Sequence, residues 1–389
     1  MQGFESFHLL ISQTYMYIQL LVLFLSLLGL DYFRQQRVLR GWDENRTRMN
    51  YIVICSVLLI LQSGLRNVSV GADTYGYKLS FVAIGKQSWS DIFENFYRVY
   101  VLGVGKDAGY ALFVKIFHIF SDNYQVYLLV VASIFFVSFG RFVYCNTTNL
   151  RGVYIAMCVY QVLFYSFFSI TGIRQTLATA IIFVAYEFVI KRRLVPFLLL
   201  CFVAVLIHKS ALLFVPFYIF SNNKFPVQTL AITLISLPLI FIFIRPIAQF
   251  LTSFSFSESY LGYANSTYET QGAQMFLVYM MIIAIGVLYF RLKFKWANVN
   301  TYYTLNAFCL ALFFTPLTWV DPSLMRVVMY YSIFTIFLLG SLVDCFDSDY
   351  SNRSDSIATI LIVLFIIVLM RKNFDYAFFW EQMELGSNY

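Results

Sequence analysis

Arg174 is the residue of this sequence whose position most needs a chemical explanation. It lies between Gly172 and Gln175, with about twenty mostly apolar residues on each side, enough to span a bilayer. A guanidinium in such a segment is costly and marks a functional site by default. The same pattern, a cationic or titratable group at the end of an apolar run, recurs at Arg66, His208-Lys209, Arg245 and Arg326. On one side of a membrane, these groups together would form a pocket for an anion.

Composition places the chain among membrane proteins. Of its 389 residues, 60% are hydrophobic and 12% are charged, which is far more apolar than a soluble domain. The net charge of +7 would suggest nucleic acid as a partner of a soluble chain, but here Lys and Arg cluster in short connectors between apolar runs, as topology determinants do. We therefore expect no nucleic-acid partner. The six cysteines lack the spacing of a zinc or disulfide framework, which predicts packing roles and no metal site.

Apolar runs of spanning length predict an all-α, polytopic membrane protein with one multi-spanning domain over residues 1–389. Such runs fall at roughly 9–30, 49–65, 123–140, 152–171, 173–190, 228–249, 274–290, 302–320, 324–343 and 356–370. Residues 194–220 could be one long helix with His208-Lys209 at its centre, or two short segments that meet there. Only two short segments place the basic stretch 291–295 inside, as the positive-inside rule requires. We therefore predict about twelve membrane segments, with one short pair broken at His208-Lys209.

The positive-inside rule also predicts the orientation in the membrane. The basic residues that would lie inside are at 34–48, 141–151, 191–193, 224, 291–295 and 353. Both termini would then lie on the outer side of the membrane. The residues that would share this outer side are Arg66, Arg174, His208-Lys209 and Arg326, with Arg245 about one turn inside that face.

Two of the predicted outer loops are long, 66–122 and 250–273. In the first, Ser88 and Asp91 form a Ser-x-x-Asp start, followed by aromatic residues at helical spacing, which predicts a helix lying in the membrane interface. A second helix is predicted at 107–120. The loop 250–273 has no basic residue and is rich in Ser, Tyr, Asn and Glu, a composition suited to binding sugars and equally typical of an ordinary solvated loop.

Five short blocks of the sequence carry a family resemblance. They are Ser63-Gly64-Leu65-Arg66, Gly71-Ala72-Asp73-Thr74 with Tyr77, Asp107-Ala108-Gly109-Tyr110-Ala111-Leu112-Phe113, Gly172-Ile173-Arg174-Gln175 and Ile207-His208-Lys209-Ser210-Ala211-Leu212. In their order and spacing they resemble the EpsG-like family of multi-spanning, Wzy-type polymerases of exopolysaccharide and O-antigen repeat units. The blocks lie between about residues 60 and 220, and the rest of the chain matches in hydropathy and length. The segment after Arg66 is looser than the Gly-Thr-Asp or Gly-Asp-Thr form expected of the family.

The resemblance implies transfer of a polyprenyl-pyrophosphate-linked oligosaccharide to the outer-end hydroxyl of another lipid-linked repeat unit, with release of polyprenyl pyrophosphate. It implies a flippase and a chain-length regulator as partner proteins, and no cofactor. A planar guanidinium can hold pyrophosphate oxygens in pairs as charge develops on them. On this interpretation the pyrophosphate-binding residues are Arg66, Arg174, Arg245 and Arg326, with Gln175, Lys209 and Tyr77 in support. The acceptor hydroxyl needs a base, for which we select Asp73 and His208.

Each of these assignments has a structural alternative. Arg174 could reach lipid headgroups, Arg66 could anchor the end of a helix, and Asp73 could only pair with Arg66. Of the other candidate bases, we expect Asp107 and Asp321 to be solvated or capping groups, and we expect the same of Lys209 and Glu258. At the level of function, a glycan ligase that uses the same donor is one alternative, and a flippase or exporter of the lipid-linked unit is another. A transporter would need polar groups through the depth of the bundle, whereas the cations gather at one predicted face, which favours transfer.

Overall fold

A computed structural model of the chain describes residues 25, 28–29, 32–71, 73–253, 273–293, 299–344 and 376–381. In chain order the helices are α1 (described over 32–40), α2 (Glu44–Gly64), α3 (Thr74–Lys86), α4 (Trp89–Tyr100), α5 (Ala108–Phe117), α6 (Tyr124–Asn146), α7 (Leu150–Val159), α8 (Ile173–Ile190), α9 (Leu194–Ile207), α10 (Phe217–Phe220), α11 (Pro226–Ile242), α12 (Ile244–Ser253), α13 (Gln274–Lys293), α14 (Val299–Phe314), α15 (Met325–Ser332) and α16 (Thr335–Asp344). Throughout the described ranges the regular structure is helical, apart from one isolated β-bridge between Arg66 and Phe378. The predicted all-α class is confirmed for this part of the chain.

The chain divides into two compact units. The first comprises Met1–Lys86, Val114–Ala180 and Phe346–Tyr389, and the second comprises Gln87–Phe113 and Ile181–Cys345. Within the first unit, α2 packs along α6 and also contacts α7. Gly64 permits the closest approach, because a Cβ atom there would lie 2.9 Å from the backbone of Leu129. This tight contact fixes the end of α2, from which Arg66 follows.

Within the second unit, α14 packs against α11 and α15, and α9 is followed directly by a 3₁₀ turn at Lys209–Phe214. Two pairs of consecutive helices are sharply bent. The pair α11 and α12 turns by 90°, and the pair formed by Pro322–Ser332 and Thr335–Leu342 turns by 48°. The apolar runs predicted at 228–249 and 324–343 are therefore each divided between two helices. The length of an apolar run predicts how many residues can lie in a membrane, but it does not predict a change in the direction of the helix axis. The bends were therefore not predicted from the sequence.

Membrane-crossing helices are fewer in the described residues than the sequence suggests. Three helices, α2, α6 and α8, are long and apolar enough to cross a membrane, and the two bent pairs would raise the number to five. The predicted run 356–370 lies outside the described residues, as does the run 9–30 except for residues 25 and 28–29. The count of twelve thus stays a prediction, while the membrane character of the chain is supported by these helices.

The connection between α2 and α6 contains three helices, of which two were predicted. Ser88 caps α4 by accepting from the backbone of Asp91, and the Asp91 side chain accepts in return from the backbone of Ser88. The predicted helix at 107–120 is α5. Helix α3 was not predicted, because its alternating small, polar and apolar residues give no clear helical stripe.

The predicted orientation can be tested with a residue of α4. Phe93 is 60% exposed, so a cysteine there would be accessible without disturbing the core. In a chain whose native cysteines are replaced, Phe93→Cys is expected to react with a membrane-impermeant maleimide in intact spheroplasts. Arg193→Cys, in the basic stretch predicted to lie inside, should react only after permeabilisation. Labelling in the reverse pattern would invert the orientation and overturn an outer-face site.

Candidate active site

Arg66 is buried directly after α2 and directs its guanidinium at main-chain carbonyl groups. Only 3% of the residue is exposed. One terminal nitrogen donates to the Ser63 carbonyl and lies 3.3 Å from the Ser63 hydroxyl, and the other donates to the Ile170 carbonyl at 3.2 Å. Burial lowers the pKa of Arg66 from its usual value. Arg66 therefore ties the last turn of α2 to the residues before α8.

The Ile170 carbonyl is available because the chain is π-helical there. Residues Tyr160–Phe164 and Ser166–Thr171 form π-helical turns that end at Gly172, whose N–H donates five residues back to the Phe167 carbonyl. The wider turns free carbonyl groups for other partners, and such turns are frequent at functional sites. Ile170 also accepts from the Thr74 hydroxyl at 3.2 Å.

The backbone conformation and the packing at position 71, in the block after Arg66, require glycine. Its φ of +99° lies in the region that favours glycine, and a Cβ atom at this position would lie 2.5 Å from the Ile170 side chain. Thr74 follows as the first residue of α3 and is fully buried. A small residue at 71 thus lets the start of α3 close onto the π-helical turns.

Arg174 differs from Arg66 in exposure and in its partners. It lies in the first turn of α8 and is only partly buried. Its Nε donates to the Tyr77 hydroxyl at 3.3 Å, and its guanidinium carbon lies 5.5 Å from the centre of the Tyr77 ring. The N-terminal turn of a helix carries a partial positive charge that adds to the charge of an arginine. This combination of fixed cation and helix end is suited to an anion.

The other predicted residues of the first unit fall into two groups. Tyr77, on α3, is buried except for 8% of its surface and holds Arg174, as a supporting residue would. Gln175, which follows Arg174 in the sequence, is buried and only 2% exposed. Asp73, by contrast, is exposed, and within the described residues no hydrogen bond or ion pair holds its carboxylate. The alternative in which Asp73 pairs with Arg66 is not observed.

Residues 376–381, far along the chain, hold the loop of Arg66, and no pattern in the sequence predicted this contact. The N–H of Asn67 donates to the Ala377 carbonyl at 2.8 Å, and the N–H of Phe379 donates to the Leu65 carbonyl at 2.9 Å. The Asn67 side chain also donates to the Glu381 carbonyl at 2.7 Å. Pairing across so many residues leaves no local pattern, which is why residues 376–381 escaped prediction.

The second unit contains a buried histidine–carboxylate pair. His208 and Asp107 are each 3% exposed, and Nδ1 of His208 lies 3.0 Å from a carboxylate oxygen of Asp107. The other oxygen of Asp107 accepts from the backbone N–H of Lys209 at 3.1 Å. A carboxylate at Nδ1 fixes the proton of a neutral imidazole there and leaves the lone pair on Nε2. Asp107, expected to be a solvated or capping group, is instead a buried partner of His208.

Backbone geometry explains how this pair forms. Helix α9 ends at Ile207, and His208 is extended before the 3₁₀ turn begins at Lys209, which confirms the predicted break. Asp107 has a φ of 52°, an uncommon conformation for a residue with a side chain. Two residues later, a Cβ atom on Gly109 would overlap the Leu206 carbonyl, so only glycine permits this approach.

The hydroxyl of Tyr100 binds the last turn of α9, just before His208. It donates to the Leu206 carbonyl at 2.6 Å. Burial raises the pKa of Tyr100 to about 12, so the phenol keeps its proton and remains a donor at neutral pH. The ring of Tyr100 also lies 5.8 Å from Nζ of Lys209. Lys209, expected to be solvated or capping, is 5% exposed.

The remaining predicted cations of the second unit differ in their surroundings. Arg326 lies in the first turn of α15 and is partly buried. One turn later, the Tyr330 hydroxyl lies 3.2 Å from the Ser210 hydroxyl. Arg245 is exposed on α12, just after the 90° bend. Asp321, the last candidate base, caps a 3₁₀ turn by accepting from the Ser323 N–H at 2.7 Å.

The described part of the chain is helical, and three of its helices are long and apolar enough to cross a membrane, so the fold defines a helical membrane protein. Comparison with family models identifies the chain more closely. It belongs to the EpsG family, whose model matches residues 49–384. The family consists of Wzy-like, polysaccharide-polymerase-type membrane proteins, so the resemblance found in the sequence is confirmed. No curated protein and no solved structure matches the chain.

Proposed function

We propose that this protein polymerises polyprenyl-pyrophosphate-linked oligosaccharide repeat units at the outer face of the bacterial inner membrane. The observation that carries the proposal is Arg174, a partly exposed guanidinium held on Tyr77 at the N-terminal turn of α8. Membership of the EpsG family supports the reaction class. A flippase that delivers the lipid-linked unit and a chain-length regulator are the partner proteins we expect.

In the proposed reaction, a hydroxyl oxygen of the acceptor glycan attacks the anomeric carbon of the donor. The new glycosidic bond forms as the bond from that carbon to the pyrophosphate oxygen breaks. Polyprenyl pyrophosphate departs with the electron pair of the broken bond, and the hydroxyl proton passes to a base. The protein therefore has two tasks, which are to stabilise a developing polyanion and to accept one proton.

Arg174 performs the first task in this proposal. Its surface is partly open to a ligand, while the Tyr77 hydroxyl and ring restrict the orientation of the guanidinium. A charge that is oriented in advance needs no reorganisation as the leaving group forms. Arg66 acts differently, because its terminal nitrogens already bind carbonyl groups. It contributes positive charge and holds the loop, while Arg245 and Arg326 are further cations for the pyrophosphate or its lipid.

His208 performs the second task. With Nδ1 held by Asp107, the base is Nε2, and the carboxylate stabilises the imidazolium that forms after proton transfer. Asp73 is the alternative base. Its carboxylate is exposed and therefore accessible to an acceptor hydroxyl. Lys209, beside the pair, adds a buried positive charge.

Incubation of the purified protein in liposomes with a defined polyprenyl-pyrophosphate repeat unit tests the proposal. A polymerase is expected to produce a ladder of lipid-linked glycans separated by one repeat unit. Transfer of a single block onto a different acceptor, with no ladder, would indicate a ligase. Movement of the lipid-linked unit between leaflets without any lengthening would indicate a flippase. Either of these results would overturn the proposed function.

A further inference from the structure

A second cationic site lies at the opposite end of α2 from Arg66. Helix α1 ends at Arg40, Gly41 adopts a φ of +61°, and α2 begins after the capping residue Asp43. This turn brings two arginines to one indole ring. The guanidinium carbon of Arg40 lies 5.9 Å from the centre of the Trp42 ring, and that of Arg46 lies 5.0 Å from it.

An open cavity of about 640 Å³ lies at this turn. Its lining residues are Arg40, Gly41, Trp42, Asp43, Asn45, Arg46, Met49 and Tyr144. The indole of Trp42 packs on other aromatic rings. Phe33 of α1 is 3% exposed, and the centre of its ring lies 6.2 Å from that of Trp42 and 6.0 Å from that of Tyr51. The cavity is therefore built on a packed aromatic base and not on mobile surface side chains.

The basic residues around the turn do not all have the same role. Arg37 forms an ion pair with Glu44, and buried Arg48 donates to the Thr147 carbonyl and to Asn45. These two are occupied by the protein itself. Arg40 and Arg46 are exposed, and no carboxylate lies within ion-pair distance of either guanidinium in the described part of the chain. Their positive charge is therefore available to an external anion.

Membrane position identifies the anion. Helix α2 is one of the three helices that could cross a bilayer, and the cavity lies at its first turn, where a tryptophan is typical of the lipid–water boundary. On α1, Val38 is 83% exposed and Leu39 is 76% exposed. Neighbouring apolar residues exposed to this degree beside a cationic face are suited to the boundary between headgroups and acyl chains. The abundant anions at that depth are phospholipid headgroups.

We propose that Arg40 and Arg46, oriented by Trp42, bind the phosphate of an anionic phospholipid headgroup in this cavity. The planar forks of the guanidiniums match phosphate oxygens, and the indole restricts both arginines by cation–π contacts. Free inorganic phosphate has the same chemistry, so the experiment must separate the two sources. The inference holds whether or not the protein is a polymerase.

Fluorescence anisotropy of labelled phosphatidylglycerol, titrated with the purified full-length protein in detergent, tests the proposal. Unlabelled phosphatidylglycerol is expected to compete well, and phosphatidylcholine poorly. The double substitution Arg40→Gln and Arg46→Gln is expected to weaken binding on the order of tenfold, from the loss of two interfacial cations. Arg193→Gln, which removes an exposed arginine elsewhere, is the matched control and should bind like the wild type. Equal affinity of the double variant and the wild type would overturn the proposal.

Two further measurements cover the remaining outcomes. Inorganic phosphate at 100-fold excess over the unlabelled lipid should not displace the labelled lipid, because phosphate lacks acyl chains to bury. If phosphate displaces the labelled lipid as effectively as phosphatidylglycerol does, the cavity is a site for free phosphate and the proposal of a lipid site is rejected. If the double variant does not fold, salt titration of the wild type decides. Affinity for phosphatidylglycerol should fall steeply with salt, because the attraction is electrostatic, and an affinity independent of salt would reject the site.

Discussion

Arg174→Ala is expected to abolish chain extension while the protein still accumulates in the membrane. Removal of one oriented donor to a developing oxyanion typically lowers a rate by about 10²–10³-fold, and loss of the positive charge adds to this. Arg174 is partly exposed and lies at a helix end, and its loss removes one hydrogen-bond donor to the Tyr77 hydroxyl, so the fold should be retained. The measurement is the initial rate of lengthening of a defined lipid-linked unit, normalised to folded protein.

Two matched variants make this test specific. Arg174→Lys retains the charge but not the planar fork, so it should restore only a small part of the rate. Arg98→Ala, which removes an exposed arginine of α4, should lengthen glycans at the wild-type rate. Arg66→Ala is a less direct test, because it would also remove the donors to two buried carbonyl groups and so destabilise the fold. Near-normal polymer length in Arg174→Ala would eliminate the pyrophosphate role.

Local patterns in the sequence predicted those parts of the fold that depend on local physics. Apolar length located α2, α6 and α8, and the Ser-x-x-Asp start located α4. The π-helical turns at 160–171 could not be predicted. Their residues are mostly apolar or aromatic, and such a run carries no information about whether the backbone bonds four or five residues back. That difference determines which carbonyl groups reach Arg66.

The candidate site shows the same division between local and long-range information. A histidine at a break between apolar helices was predicted correctly, but its carboxylate partner comes from a residue more than one hundred positions earlier. Residue type does not distinguish Asp107 from Asp73, and Asp73 was predicted to be a base while Asp107 was predicted to be a solvated or capping group. Burial separates them, because Asp107 is enclosed by the close approach that Gly109 permits, whereas Asp73 is exposed. Close packing of this kind depends on tertiary structure and not on spacing in the sequence.

Asp107→Asn is the second substitution for which we expect a large effect. Asparagine has nearly the same shape as aspartate and also tolerates positive φ, so the backbone at φ 52° should be retained. The amide, however, has no charge to stabilise an imidazolium and can leave His208 in the wrong tautomer. We expect the rate of lengthening to fall by about 10²–10⁴-fold, with little change in substrate affinity. Asp73→Asn, the matched control, should be nearly silent.

The pH profile then distinguishes a base from a cation. If Nε2 of His208 accepts the proton, wild-type activity should fall as the pH drops through the neutral-to-acid range in which the imidazole takes up its proton. His208→Gln should remove most of the rate and this dependence together. If His208 acts as a cation on the pyrophosphate beside Lys209, activity should hold or rise at acidic pH, because protonation would then create the active form. Initial rates measured from about pH 5.5 to 8.5 separate these results. A severe defect in Asp73→Asn with a normal rate in His208→Gln would transfer the role of base to Asp73.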